Sequence, residues 1–479
     1  MIDSRHKMIL ASGRFSGTTR EQLTEAFKAF TASPQKDVLV IHFHGGLVSK
    51  DDAEGNAERL SLIYQNAGGY PFFVIWQTGL GETLKNNWRE IVNEEAFSVL
   101  VKRTLQFVIG KLDKAPDERG ATIELPTSFA VEKEIQEKPA ENKVPYEERE
   151  VETLRLASEL TAAEQAQFEE LLESDAALTN AAAQLTREGA PELNPKLENE
   201  FERARAAEKE GTRALLSVPI LSVAGVRILA RTLKRFAKGS GHGIYTTIVE
   251  EVLRELKGDL LGGLVWGHMK KDALDSLADP SGAHGGTALL EEINRIWQKG
   301  RKPRIALVGH SAGAIYICRL LEKAGTTLPA DVRFEVVFLA PACSFKLIDH
   351  ALAQAGDRIA AFHSFAMEDE LEKRDAIFPP VYMRSLLYFV SGILEEDVDL
   401  PLVGMARYHM GKPPFDDAAA FPEIARAQAR LANFPEPWIW TGSSGQTGLS
   451  THANKHSDFD NEERTLQSVA RLIAREVAP

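Results

Sequence analysis

The chain has 479 residues, of which 44% are hydrophobic, 26% charged and 8% aromatic, and its net charge is −13. This globular composition excludes a collagen-like chain, a wholly disordered chain and a small disulfide scaffold, and the negative charge argues against a nucleic-acid partner. Only two cysteines occur, Cys318 and Cys343, and the N-terminus has no signal-peptide pattern. We therefore expect a cytoplasmic protein.

Short runs of β-branched and aromatic residues predict buried strands, because each run is continuous and ends in turn residues. In chain order they cover residues 7–11, 38–43, 72–76, 304–308, 334–339, 358–362 and 437–440. Helical patterns lie between them at 19–30, 53–67, 82–111, 312–324 and 462–477. This alternation predicts an α/β fold with a mostly parallel sheet flanked by helices.

A long interruption separates the strand at 72–76 from the strand at 304–308. It predicts a discontinuous core of residues 1–112 and 300–479, with a mainly helical insertion or cap over 113–299. Residues 114–145 are rich in Pro, Glu and Lys, which is typical of a linker or an irregular loop. Residues 141–210 contain 18 acidic and 8 basic side chains in a helix-favouring composition, and we name them the acidic arm.

A basic apolar segment, residues 211–249, follows the acidic arm and contains no acidic residue. One interpretation is a core helix whose cations pair with the arm. Another is an apolar face with basic flanks that lies on an anionic membrane surface. The first is preferred, because an internal partner needs no second molecule. The apolar stretch 381–394 is also a candidate cover for a substrate-binding cleft.

The sharpest motif is Gly309-His310-Ser311-Ala312-Gly313, which follows one predicted strand and opens a helix. Small residues on both sides of Ser311 suit a tight strand-to-helix turn that lifts the hydroxyl to the carboxyl edge of the sheet. The Ala312 N–H, at the helix N-terminus, can then stabilise a developing oxyanion. The pattern predicts a nucleophilic serine.

A second glycine turn, His44-Gly45-Gly46-Leu47, follows the strand at 38–43. Glycines allow a backbone to approach an oxyanion closely, so this turn is a candidate for the second N–H donor. His42 and His44 lie two residues apart, which is compatible with metal ligation. No carboxylate cluster accompanies them, and we expect neither a metal nor a cofactor.

On these two motifs the chain resembles the α/β-hydrolase superfamily, in its serine esterase and lipase-like branch. The resemblance covers about residues 35–80 and 300–479 and implies an α/β-hydrolase-like sheet with a catalytic triad in the order Ser, acid, His. It implies that Asp369, after the strand that ends near Phe365, orients the histidine, with Glu368, Glu370 and Asp349 as alternatives. It places the histidine before the final helix, at His456 in preference to His452.

The resemblance thus implies Ser311 as nucleophile, His456 as general base and Asp369 as the orienting acid. The amides of Ala312 and of Gly46 or Leu47 would form the oxyanion hole. The expected activity is hydrolysis of a small-molecule or lipid carboxylic ester. Two other hypotheses stay open: a binding or signalling protein that uses the insertion to contact a protein partner or a second copy, and a lipase effector on a membrane surface.

Overall fold

A computed structural model describes residues 2–46, 50–76, 88, 91–113, 123–148, 160–185, 187, 192–209, 217–279, 283–443 and 447–475. Within these residues the chain is an α/β protein with one eight-stranded sheet and 17 α-helices. The strands are β1 Lys7–Ala11, β2 Arg14–Phe15, β3 Val38–Phe43, β4 Tyr70–Trp76, β5 Arg304–His310, β6 Phe334–Leu339, β7 Ile359–Ala366 and β8 Trp438–Trp440.

The helices follow the same chain order. They are α1 Arg20–Ala32, α2 Lys50–Asn66, α3 Glu95–Asp113, α4 Ser128–Ala140, α5 Ala162–Glu173, α6 Ala176–Leu185, α7 Pro195–Lys209, α8 Ser217–Lys238, α9 Ile244–Leu261, α10 His268–Asp275, α11 Gly285–Gln298, α12 Gly313–Thr327, α13 Phe345–Ala355, α14 Asp369–Glu372, α15 Leu386–Phe389, α16 Pro422–Leu431 and α17 Glu463–Ala474. Two π-helical segments, Gly262–Gly267 and Val390–Leu394, continue α9 and α15.

Two compact units make up the chain. The sheet unit consists of Met1–Thr83, Gly267–Asp375 and Leu400–Pro479, and the helical unit consists of Leu84–Trp266 and Ala376–Asp399. These boundaries differ from the sequence-based division at 112 and 300. Helix α3 packs against α6 and α9 and so belongs to the helical unit, whereas α11 packs against α1 and α12 and so belongs to the sheet unit.

The sheet has the strand order β2-β1-β4-β3-β5-β6-β7-β8, and every neighbouring pair is parallel except β1 with β2. All seven predicted strands are present, which confirms the expected mostly parallel sheet. Phe43 is opposite Gly309 and His310 is opposite Leu339, so the carboxyl ends of β3, β5 and β6 lie side by side. Chain segments that leave these three strands therefore meet at one edge of the sheet.

Both faces of the sheet are covered, which explains why the strand sequences are apolar throughout. On one face the apolar residues of α2 and α17 form a continuous core with alternate strand residues such as Val40, Phe73 and Val308. On the other face Phe27 of α1 contacts Phe72, with ring centroids 5.7 Å apart. This alternation follows from the two-residue repeat of a strand.

Helix α4 corrects one expectation. Residues 128–140 lie within the stretch predicted as a linker, and they form a helix whose first turn is capped by the Thr127 hydroxyl, which accepts the Ala130 N–H at 3.2 Å. The Glu, Lys and Gln residues of this stretch favour helix, and its proline is confined to the last turn. Among the described residues no helix combines the length and apolarity needed to cross a bilayer.

A ladder of ion pairs joins α8 to α9 in the helical unit. Arg227, Arg231 and Arg235 recur every four residues and so share one face of α8. Arg227 pairs with Glu255, and Arg231 pairs with both Glu251 and Glu255. Cations of the basic apolar segment are thus paired mainly with α9, and the acidic arm supplies one further partner, Glu200, to Arg227.

Arg235 lies at the buried end of this ladder. Its guanidinium is 2.5 Å from a Glu250 oxygen, 2.5 Å from an Asp399 oxygen and 3.2 Å from a Glu251 oxygen. Burial opposes ionisation of Asp399, but the charges of Arg235 and His242 outweigh it and lower the pKa of Asp399 to about 2. One guanidinium therefore compensates several buried carboxylates.

We expect the Arg235→Met variant to be strongly destabilised, by about 3–5 kcal/mol, because it leaves buried carboxylates without their cation. The matched control is Arg231→Met, since the Arg231 side chain is 38% exposed and that of Arg235 is 6% exposed. The control should lose clearly less stability, because Glu251 keeps Arg235 and Glu255 keeps Arg227 as a cationic partner. The measurement is the midpoint of urea unfolding followed by circular dichroism. Equal midpoints for the two variants would contradict the expectation.

Candidate active site

Ser311 occupies a strained turn between β5 and α12. Its backbone has a φ of +53°, in the left-handed region that non-glycine residues rarely adopt. Hydrogen bonds fix this conformation: the Ser311 N–H donates to the Leu339 carbonyl at 2.8 Å, and the Ser311 carbonyl accepts the Ala342 N–H at 3.0 Å. Neighbouring strand β6 and the loop after it thus hold the strain in place.

The glycines of the motif are required by close approaches of the backbone. A Cβ atom on Gly313 would lie 2.2 Å from the Phe43 carbonyl oxygen, and one on Gly309 would lie 2.9 Å from the Gly313 carbonyl carbon. Such distances are incompatible with any side chain. Residues 309 and 313 therefore allow β3, β5 and α12 to meet around Ser311.

The predicted oxyanion turn lies against the predicted nucleophile. A Cβ atom on Gly45 would be 3.4 Å from the Ser311 Cβ, and one on Gly46 would be 3.1 Å from the Ala312 Cβ. The structure thus brings together the backbones of Gly46 and Ala312, both predicted as oxyanion donors. Leu47, the other candidate donor, lies outside the described residues.

His44 shapes this turn. Its Nε2 accepts the Trp76 N–H at 3.1 Å, so Nδ1 carries the proton and donates to the Gly45 carbonyl at 2.6 Å. Burial is the main cause that lowers the pKa of His44 to about 4, so the ring is neutral at neutral pH. The sequence marked His44 as a metal candidate. Its two hydrogen bonds instead orient the Gly45 peptide.

His456 begins a short 3₁₀ turn before α17, and its ring is buried. Neither ring nitrogen has a hydrogen-bond partner among the described residues. The ring stacks on His310, the residue before Ser311, with centroids 5.4 Å apart. Burial, assisted by the charge of His310, lowers the pKa of His456 to about 3. At neutral pH the ring is therefore uncharged.

The backbone of His456 is held from both sides. Its N–H donates to an Asp375 carboxylate oxygen at 2.8 Å, and its carbonyl lies 3.1 Å from His310 Nε2, which must donate. Sequence reasoning missed Asp375, which lies beyond the loop searched for acids and is marked by no motif. His452 is solvent-exposed, and its N–H donates to Glu462 at 3.1 Å.

Among the acids predicted after β7, Asp369 is buried, whereas Glu368 and Glu370 are exposed. The Asp369 carboxylate pairs with Lys373 at 2.8 Å. Asp349, an alternative acid, pairs with Arg426 and Arg430 on α16. The carboxylate with a hydrogen bond to the His456 backbone is that of Asp375.

One buried group in the helical unit has metal-ligand chemistry. Ligand atoms of His242, Glu250 and Asp399 lie within 4.8 Å of one another. The Arg235 guanidinium already bridges Glu250 and Asp399, at 2.5 Å from each. The positive charge that these carboxylates require is therefore supplied by the protein itself.

Comparisons with known proteins return no relative. No protein-family model matches the chain, no curated protein matches it, and no solved structure matches it.

Proposed function

We propose that this protein is a serine hydrolase that cleaves a carboxylic ester through an acyl-enzyme intermediate, on an α/β-hydrolase-like sheet. The observation that carries the proposal is the pairing of two features. One is a strained serine at the carboxyl edge of the sheet, and the other is a buried histidine that stacks on the residue before this serine and whose ring nitrogens have no hydrogen-bond partner among the described residues. Strain and unsatisfied polar groups persist where function requires them.

In the proposed mechanism Ser311 Oγ attacks the ester carbonyl carbon while His456 accepts the hydroxyl proton. The oxyanion accepts hydrogen bonds from the Ala312 and Gly46 N–H groups, each worth about 3 kcal/mol. Collapse of the intermediate expels the alcohol, which takes the proton from His456 and leaves the acyl group on Ser311. Water then attacks the acyl-enzyme by the same steps and releases the acid.

The proposed substrate is an ester that need not be a membrane lipid. Exposed apolar residues in the basic apolar segment would favour a lipid substrate, but Leu221, Ile228, Leu229, Leu233 and Phe236 on α8 are buried. Three of the segment's arginines are held in ion pairs. These contacts use the side chains that binding to a membrane surface would need.

Ser311→Ala should abolish covalent labelling by a fluorophosphonate probe and reduce hydrolysis of short p-nitrophenyl esters by about 10⁴-fold or more, because the triad acts as a unit. The matched control is Ser364→Ala, another buried serine of the sheet unit, which should keep wild-type activity. Labelling is measured by mass spectrometry of the modified peptide. Equal turnover by Ser311→Ala would remove the hydrolase proposal and favour the binding-protein hypothesis.

His456→Ala should lose about as much activity as Ser311→Ala, because the serine then lacks its base. His452→Ala should retain most activity, since the His452 residue is exposed to solvent. Both variants are compared by kcat/KM for the same ester at fixed pH. A severe loss in His452→Ala with an active His456→Ala would transfer the role of base to His452.

Asp369→Asn tests the proposed orienting acid, and we expect a loss of about 10³-fold or more in kcat because the imidazolium that forms during the reaction loses the carboxylate proposed to stabilise it. Asp375→Asn is the comparison: its amide oxygen can still accept the His456 N–H, so a loss of less than about tenfold is expected. Both substitutions preserve side-chain size. If Asp375→Asn has the larger loss in kcat, Asp375 takes the role assigned to Asp369.

A further inference from the structure

His310 is placed between the candidate nucleophile and the candidate base. It precedes Ser311 in the chain, its ring stacks on His456, and its Nε2 donates to the His456 carbonyl at 3.1 Å. On the opposite side its Nδ1 faces an Asp460 carboxylate oxygen at 3.6 Å. That separation is longer than a hydrogen bond, so the contact is an ion pair when the His310 ring is protonated.

Asp460 is fixed by helix α2. The Asn56 side-chain amide donates to its carboxylate at 3.2 Å, and Arg59 donates to its backbone carbonyl at 2.5 Å. Burial opposes ionisation of Asp460, but the nearby His310 outweighs it and lowers the pKa of Asp460 to about 2. Burial likewise opposes protonation of His310, and Asp460 outweighs it, so that the pKa of His310 is raised.

We propose that His310 and Asp460 form a positioning pair for His456, in which His310 protonated on both ring nitrogens keeps the His456 turn in register with Ser311. This inference rests on the proposed hydrolase function. Doubly protonated His310 can donate to the His456 carbonyl and face Asp460 at the same time. Neutral His310 has a single N–H, so one of these two contacts is lost on deprotonation.

The direction in which activity should change with pH follows from the pKa shifts of Asp460 and His310. Asp460 is ionised above about pH 2 in the folded protein, and His310 stays protonated until the pH exceeds its raised pKa. The pair is therefore complete from acidic pH upward and is lost as the pH rises through the pKa of His310. Hydrolysis should therefore decline on the high-pH side, as the pH rises through that pKa.

Other titratable and charged groups surround His310 and its partners Asp460 and His456. His42 on β3 and His44 after it have pKa values lowered by burial to about 3 and about 4, so both are neutral in the alkaline range. On α2, Arg59 donates to the Asp460 carbonyl and the Tyr64 hydroxyl lies 2.9 Å from His42 Nδ1, while Lys455 and Asp458 flank His456 in the 3₁₀ turn. Asp375 approaches through the His456 N–H, and its carboxyl pKa is raised mainly by burial.

The test compares pH profiles of kcat/KM for a p-nitrophenyl ester in wild type, Asp460→Asn and His310→Gln. Asp460→Asn removes the charge that raises the pKa of His310, so its decline at high pH should move to lower pH, and its kcat/KM should be about tenfold below wild type between the two midpoints. His310→Gln keeps an N–H donor but, like neutral His310, cannot form an ion pair with Asp460, so its kcat/KM should stay at the low level that wild type reaches above the pKa of His310 and should show no decline. His310→Phe, without a donor, should be poorly active at every pH.

Glu335→Gln is the control for loss of a carboxylate ion pair elsewhere in the sheet unit, where Glu335 pairs with Arg304, and it should keep the wild-type profile. An unchanged alkaline decline in Asp460→Asn, or wild-type activity in His310→Phe, would overturn the inference. Should His310→Phe fail to fold, the other two variants decide the outcome.

A readout that does not require activity separates this inference from the proposed function. ¹⁵N NMR of histidine-labelled protein should show His310 protonated on both ring nitrogens at pH 7, identified by its loss in His310→Gln, and singly protonated in Asp460→Asn. A neutral His310 in wild type overturns the inference even if hydrolysis is observed. A wild type that neither reacts with the fluorophosphonate nor hydrolyses esters refutes the hydrolase proposal and the positioning role together, whatever the protonation of His310.

Discussion

Pairing of β5 on both of its edges is the constraint on which the sheet unit and the candidate site depend. Its carboxyl end lies between those of β3 and β6, in a register that sets Phe43 beside Gly309 and His310 beside Leu339. Parallel neighbours cannot be joined by short turns, so the segments that follow them must all leave at one edge. The glycine turn and the Ser311 turn therefore meet because of backbone pairing, before any side chain contributes.

The helical unit depends on a different principle, the compensation of charge within the protein. The acidic arm pairs with its own unit: Glu164 with Lys111, Asp175 with Arg103, and Glu200 with Arg227. Acidic residues that are clustered along the sequence are thus paired with cations from other parts of the same unit. The arginines of α8 find most of their partners on α9, a helix that adjoins α8 in the chain.

Much of the sheet could be predicted from sequence, because a buried parallel strand needs a continuous apolar run and these runs are conspicuous. The serine turn was equally visible, since its glycines are required by steric contacts that leave a fixed motif. The contacts of Asp375, His310 and Asp460 could not be predicted. They join segments far apart in the chain, and a single charged residue in a loop has no periodicity. Helix α4 was not predicted, because the proline content of residues 114–145 was given more weight than the helix propensity of their Glu, Lys and Gln residues.

The arrangement of the candidate site lowers the free energy of unfolding. The left-handed backbone of Ser311 costs about 1–3 kcal/mol, and buried polar atoms such as the His456 ring nitrogens, which have no hydrogen-bond partner in the part of the chain that the structure describes, cost a similar amount each. Selection for a more stable sheet alone would replace both residues, by glycine at the turn and by an apolar ring in the pocket. Their joint presence means that the fold tolerates a loss of stability comparable to a large fraction of the net folding free energy of a typical domain.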